Sequence, residues 1–302
     1  MNIYDLDFGE IERVDASEAG DVAELINSKR APLIFTGLGS DLKFLDEWNL
    51  DFLKEMSTEV PIQRPEGDGV NYFIRHERIP MSAVVEAIRN GESMYIGAQK
   101  ITGKRGLRSD IHGLGQLAET MRIPEWIDKK RIYNGNFWLG AGNNKTLLHY
   151  DAWDSILLLG QGEKEFFVFS NEESPRMHQY SAFNFKALVD GRVLHSKIRP
   201  MDVQEEYREE FSKLKGLKGT VHAGEVMFVP AGFWHYVESK GINVAVNFFI
   251  HTTHRSLHFK EPLRTFWIKD NITVPPVAFY KKFKAGLAKL HRFVAEKPVP
   301  LQ

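Results

Sequence analysis

Cysteine is missing from all 302 residues of this chain. That absence removes disulfides, thiolate metal sites and zinc fingers from consideration, and it leaves the redox compartment open. A charge imbalance is missing too. Lys and Arg number 39 against 40 Asp and Glu, a net charge of −1, which argues against a generic nucleic-acid binder. No stretch approaches the length needed to span a bilayer. The opening Met1-Asn-Ile-Tyr-Asp-Leu-Asp7 is acidic and has no apolar run, so no secretory signal or transit peptide is read there. The expectation is a soluble cytoplasmic protein. What the chain does have is apolar residue, 43% of the total, enough for a sizeable core in one large domain or a core with additions.

The stretch that organises the rest is Thr146-Leu-Leu-His149-Tyr-Asp151, continued from Asp154 to Lys164. On an extended strand, side chains at i and i+2 share a face, so His149 and Asp151 reach one ion while Tyr150 turns away. A third ligand is needed. His235, in Val229-Pro-Ala-Gly-Phe-Trp-His235, is the best candidate; His222 competes but precedes a turn on another strand. Two histidines and one carboxylate on one face of an ion leave positions open, the arrangement of non-haem Fe(II) oxygenases. Ser155-Ile-Leu-Leu-Leu159, the turn Gly160-Gln-Gly162 and Lys164-Glu-Phe-Phe-Val-Phe169 read as a hairpin that returns Lys164 toward the metal. A lysine pointing into a barrel needs a partner, and a bound carboxylate would supply one. Trp153 and Asp154 are candidates for the mouth of the pocket, where a substrate would enter.

Around this motif the chain divides into three. Residues 1–90 read as α/β elements packing on a barrel. Asp15 and Glu18 suggest a capping box ahead of a helix with Val22, Leu25 and Ile26. Pro32-Leu-Ile-Phe35 reads as a buried strand, Asn49 as the cap of a second helix, and 60–63 and 70–74 as strands. Ser82 opens a helix closed by Asn90-Gly91. Residues 91–255 form the core, with an insertion over 171–218 that holds one charged helix, Gln204 to Leu214. The basic stretch from Gln99 to Asp110 reads as a loop; Lys100, Lys104, Arg105 and Arg108 fit a lid over an anionic substrate or a solvated surface. Three late strands, at 220–230, 233–238 and 242–250, follow this helix-containing front half. They predict a mainly β fold with flanking helices, a double-stranded jelly roll of cupin type.

Residues 256–302 form a C-terminal helical extension. Pro275-Pro276 suits a helix start, and Tyr280, Phe283, Leu287, Leu290 and Val294 recur at three- and four-residue steps as one apolar stripe. Packing on its own core, a homodimer contact and attachment to an anionic membrane surface all fit that stripe.

From Tyr95 to Phe249 the sequence resembles the JmjC and cupin-like (cupin-8 type) Fe(II)/2-oxoglutarate oxygenases, their small hydroxylases above all. The resemblance implies that His149, Asp151 and His235 bind iron and that Lys164 binds the co-substrate. It further implies that Thr146, three residues before the first ligand, Tyr95 in Ser93-Met-Tyr-Ile-Gly97 and Asn247 in Val244-Ala-Val-Asn-Phe-Phe249 belong to the same site. Ser155 departs from the pattern, since those relatives carry asparagine there. The expected activity is hydroxylation of a C–H bond on a protein or peptide side chain or a small molecule. It would use Fe(II), 2-oxoglutarate and O2, with succinate and CO2 as co-products. A metal-dependent cupin of a non-oxygenase type, or a non-catalytic binding module, is the alternative.

Overall fold

The computed structural model describes residues 1–64, 77–102, 114–254 and 260–273. The expected strand over 70–74, the basic residues Lys104, Arg105 and Arg108, and the stripe of Tyr280, Phe283, Leu287, Leu290 and Val294 lie outside the described residues. The strands within them are β1 (Phe8–Glu10), β2 (Glu12–Asp15), β3 (Leu33–Thr36), β4 (Glu59–Ile62), β5 (Glu77–Pro80), β6 (Met94–Thr102), β7 (Ile132–Ala141), β8 (Asn144–Lys145), β9 (His149–Tyr150), β10 (Asp154–Phe169), β11 (Gly216–His222), β12 (Val226–Val229) and β13 (Trp234–Ile250).

Two long strands carry the architecture. β10 and β13 pair antiparallel along their full lengths, from Asp154↔Ile250 to Phe169↔Trp234. The first half of β10 also pairs with β12 and its second half with β11. β13 meets β8 and β9 near its start and β7 near its end. One half of the sheet therefore runs β2-β3-β12-β10-β13-β7-β6, while β1, β11, β8 and β9 build onto the same two strands further along. This is the mostly β jelly roll expected from the closely spaced late strands.

The expected hairpin at Gly160-Gln-Gly162 does not form. β10 continues through it, with register shifts against β13 between Leu159 and Gln161 and again between Gln161 and Glu163. Those bulges decide which way the second half faces. Counting by twos from Ser155 and Leu157, which line the central cavity, places Glu163 and Glu165 inward. The irregularity reverses the parity, and Lys164 and Phe166 line the cavity instead. Gly162 sits here at φ +87, and a Cβ on it would lie 2.4 Å from the Ile242 carbonyl oxygen.

The outer faces are buried by two layers. Ile156, Leu158, Val246 and Phe248 pack against Leu45, Trp48, Leu53, Val84 and Ile88 from the front of the chain. Phe167, Phe169, Trp234 and Tyr236 pack against Ile3 and against Phe211 of the insertion. The N-terminal residues also join the sheet itself, β3 pairing with β12 and β1 with β11.

The local capping and strand signals hold at some positions and not at others. Asn49 caps the helix Leu50–Lys54 through the N–H groups of Asp51 and Phe52. Gly91, at φ +81, follows the helix Met81–Arg89. The cap of Val22–Lys29 is Asp21, however, while Asp15 accepts from the Ser17 N–H and hydroxyl in a tight turn. β6 runs through Thr102, so Gln99 to Thr102 is strand rather than loop. The charged helix of the insertion is shorter than expected, a 3-10 turn Glu205–Tyr207 followed by Arg208–Phe211, and β11 begins at Gly216. The two strands expected over 233–250 are one.

Gly162 and Gly224 separate backbone strain from crowding. Both have φ near +85, but nothing lies within 4 Å of a Cβ at Gly224. Alanine at either site incurs about 1–2 kcal/mol for a left-handed backbone. At Gly162 the clash with the Ile242 carbonyl adds about 1–3 kcal/mol. Gly162→Ala is expected to lose more stability than Gly224→Ala in urea unfolding; equal losses would show that the bulge is not tightly constrained.

Candidate metal centre

The site begins with a cross-strand pair. His149 on β9 lies directly opposite His235 on β13, and Tyr150 opposite Trp234. Because side chains alternate, both imidazoles project to one face, with ring centroids 4.2 Å apart. Tyr150 turns away and donates its hydroxyl to the Pro262 carbonyl at 2.9 Å. Asp151 follows at once, its Oδ2 3.6 Å from His235 Nε2. One ligand atom from each of His149, Asp151 and His235 lies within 4.8 Å of the others.

Each ring is oriented by a backbone carbonyl two residues earlier. His149 Nδ1 is 2.7 Å from the Leu147 oxygen and His235 Nδ1 is 3.0 Å from the Phe233 oxygen. A carbonyl only accepts, so each Nδ1 carries the proton and each Nε2 presents its lone pair. That is how ligating histidines are held when the second nitrogen is tied by the surrounding protein. Burial pushes the His235 imidazole well below its ordinary pKa, with His149 adding to the effect, so the ring stays neutral. Burial pushes the Asp151 carboxyl up, partly opposed by His149. A divalent cation reverses the penalty on a carboxylate. Two imidazole nitrogen donors and one oxygen donor thus fit a first-row divalent metal.

The triad lines a cavity of about 250 Å³ that it shares with Tyr95, Thr146, Ser155, Lys164 and Asn247. That lies just under the ~300–1,000 Å³ range of small-molecule sites. Lys164 is 4% exposed, and its Nζ donates to Ser239 Oγ at 2.6 Å across the β10–β13 pair. Among the described residues it forms no ion pair, and burial lowers its pKa to about 8. Thr146 Oγ1 accepts from the Val237 N–H at 3.0 Å, so its own proton is directed to another acceptor. The Tyr95 ring passes between Gly97 and Gly140, where a Cβ would come within 2.9 and 3.3 Å of it. Burial pushes the Tyr95 phenol up, which keeps it a proton donor. Asn247 Oδ1 accepts from Trp138 Nε1 at 2.7 Å and from Asn136 Nδ2 at 3.2 Å, and its Nδ2 donates to Ser155 Oγ at 3.2 Å. Indole only donates, which fixes the orientation of the amide.

Other candidates lie elsewhere. Asp154 does not line the cavity; it is fully buried and bound to Arg30 at 2.8 Å through both carboxylate oxygens. Trp153 is not on the wall either. It stacks on Tyr133, centroids 4.3 Å apart, and its ring centroid lies 5.8 Å from that of the lining residue Phe249. Arg105 is outside the described residues. His222 is exposed, 3.9 Å from Glu163, and takes no part in the cluster.

Two further cavity residues, His195 and Gln63, carry polar side chains and lie outside the expected site. His195, from the insertion, bridges to His149 with its ring nearly parallel at 5.5 Å. Burial, reinforced by His149, lowers its pKa to about 3. Gln63 pairs with Tyr95 through the backbone. His195 belongs to no periodic stretch or spaced motif, and Gln63 ends the strand expected over 60–63, where nothing distinguishes it from its neighbours.

Known proteins of similar sequence agree with this architecture. A family profile described as a cupin-like domain matches residues 20–256. The lysine-specific demethylase JMJ31 of Arabidopsis thaliana is 21% identical over 280 residues, 80% of this chain and 50% of its own. The tRNA wybutosine-synthesizing protein 5 of Gallus gallus is 27% identical over 243 residues, 73% of this chain and 70% of its own. The bifunctional peptidase and (3S)-lysyl hydroxylase JMJD7 of Homo sapiens is 25% identical over 230 residues, 68% of this chain and 72% of its own. This chain therefore spans about half the length of the plant relative. With a jelly roll, a two-histidine, one-carboxylate cluster inside it, and a match over more than half its length, the chain belongs to the cupin-like domain family.

Proposed function

We propose that this chain is an Fe(II)- and 2-oxoglutarate-dependent dioxygenase that hydroxylates a C–H bond, on a protein or peptide side chain or on a small molecule. The observation that carries the reading is Lys164. A buried ammonium with no carboxylate partner among the described residues is costly, and it faces the same cavity as the three candidate ligands. A diacid chelated at the metal by one end and neutralised at the other accounts for both features. A cupin that runs metal chemistry without 2-oxoglutarate has no use for that lysine.

His149, Asp151 and His235 would hold Fe(II). Bound there with 2-oxoglutarate and O2, the metal would supply the oxidising chemistry, with succinate and CO2 as co-products. The chain's own residues bind and orient. Lys164 meets the far carboxylate as a point charge. The Thr146 hydroxyl, whose oxygen is occupied by the Val237 N–H, gives its proton to the same carboxylate. Tyr95 donates beside it. Asn247 and Ser155 form a neutral polar wall nearer the metal. Leu157, Phe166, Val229 and Val237 keep the rest of the cavity apolar and limit water. A side-chain substrate is favoured because similar proteins are named as a lysine-specific demethylase and a (3S)-lysyl hydroxylase.

The pH dependence of co-substrate binding follows from Lys164. Its folded pKa of about 8 is below the ordinary lysine value, so the free protein loses the ammonium as pH rises through 8. Affinity for 2-oxoglutarate, titrated calorimetrically with Mn(II) in place of iron, is expected to be flat below that pH. It should then fall by up to about tenfold per unit above it. Affinity unchanged to pH 10 contradicts the role. Lys164→Ala is expected to weaken binding by about 2 kcal/mol or more, on the order of thirtyfold.

Asp151→Ala is expected to abolish succinate formation and the thermal stabilisation by metal. For the wild type, metal at a hundred times its Kd should add about 2.7 kcal/mol of stability. Full turnover by that variant is the contrary result. Metal binding by the wild type without any 2-oxoglutarate binding would favour the non-oxygenase alternative.

A further inference from the structure

We propose that Asp154, clamped by Arg30, is a positioning residue that locks the segment bearing His149 and Asp151 to the turn that delivers His235. This rests on the reading of those three residues as metal ligands.

Asp154 lies three residues after Asp151, and its side chain is fully buried. Arg30 Nη1 and Nη2 donate to its two oxygens, each at 2.8 Å, in a forked pair. Arg131 Nη2 stands 3.7 Å from Oδ2. Besides Arg30, Oδ1 accepts from the Ala231 backbone N–H at 2.9 Å. The next amide along, Gly232 N–H, donates to the Asp151 carbonyl, also at 2.9 Å. Consecutive N–H groups of one turn are therefore tied to Asp154 and Asp151. The Phe233 carbonyl of the same turn holds His235 Nδ1 at 3.0 Å. A shift of the turn thus moves a candidate ligand relative to Asp151.

A single carboxylate bonds the guanidinium and the turn amide together, so neither can drift without the other. Arg30 follows the helix Val22–Lys29 in a left-handed conformation, φ 48, that non-glycine residues rarely adopt. The fork on Asp154 is what that backbone delivers. Arg30 thereby supports the metal centre without itself lining the cavity. A bland buried ion pair needs no bond to this turn, and a residue lining the pocket mouth needs exposure, which Asp154 lacks.

The test uses the full chain and Co(II) as the probe, read by calorimetric affinity and by the Co(II) visible absorption spectrum. Asp154→Asn keeps the shape and an acceptor for Ala231 but loses the charge. Arg30→Lys keeps the charge but loses the fork, the milder of the two changes. Asp154→Asn is expected to bind Co(II) on the order of tenfold to a hundredfold more weakly, as losses behind metal ligands do. Its spectrum should show altered coordination. Arg30→Lys should move both readouts in the same direction and by less. Variants that melt lower without metal yet bind Co(II) with wild-type affinity and spectrum make the pair merely structural and overturn the proposal. If Asp154→Asn does not fold, Arg30→Lys decides alone. A wild type that binds no Co(II) brings down the underlying metal assignment too, before any variant is compared.

Discussion

The pairing of β10 with β13 is the constraint on which everything else stands. One strand carries Ser155, Leu157, Lys164 and Phe166 into the cavity; the other carries His235, Val237, Asn247 and Phe249. Because the two remain hydrogen-bonded from end to end, the metal face and the lysine have a fixed relation. The bulges around Gly162 complete that relation. Without them the β10 alternation would send Lys164 to the outer face and bring Glu163 and Glu165 inward, where acids would repel a diacid co-substrate.

Electrostatics then give the cavity two distinct ends. At one end, the His149 imidazole and a His235 imidazole kept neutral by burial sit beside a carboxylate that burial disfavours, a set that a divalent cation satisfies. At the other, an ammonium is held by a serine hydroxyl and carries a lowered pKa, a state that an anion relieves. Between them lie neutral hydrogen-bonding groups, Thr146, Tyr95, Asn247 and Ser155, and apolar walls. Each end is under-compensated alone, and the proposed chelating diacid would bridge both. The apolar layers outside hold this geometry, with the front of the chain behind one half of the sheet and Ile3 and the insertion behind the other.

Much of this was legible because strands have a period of two. His149 and Asp151 declared a shared face at once, and His235 stood out by its glycine turn and the strand around it. Lys164 was placed in the cavity by a route that the structure replaces: a continuous strand with an extra residue, not a hairpin. Glycines at 160 and 162 signal either one, and only the register against β13 distinguishes them. Asp154 was misplaced for a related reason. Nothing next to it in sequence reveals that its partner is Arg30, 124 positions away. His195 stayed hidden because its segment has no repeat, and it reaches His149 through a single isolated bridge. Asp21 rather than Asp15 caps the first helix because Asp15 is already satisfied by Ser17.

Whether one cavity holds both a metal and a diacid is decided by a crystal structure grown without oxygen in Mn(II) and 2-oxoglutarate. The expected result is one ion bonded to His149 Nε2, His235 Nε2 and an Asp151 oxygen, with the far carboxylate of the diacid against Lys164 Nζ and Thr146 Oγ1. An ion bound away from those three side chains, or a diacid seated elsewhere with Lys164 still on Ser239 alone, would contradict it.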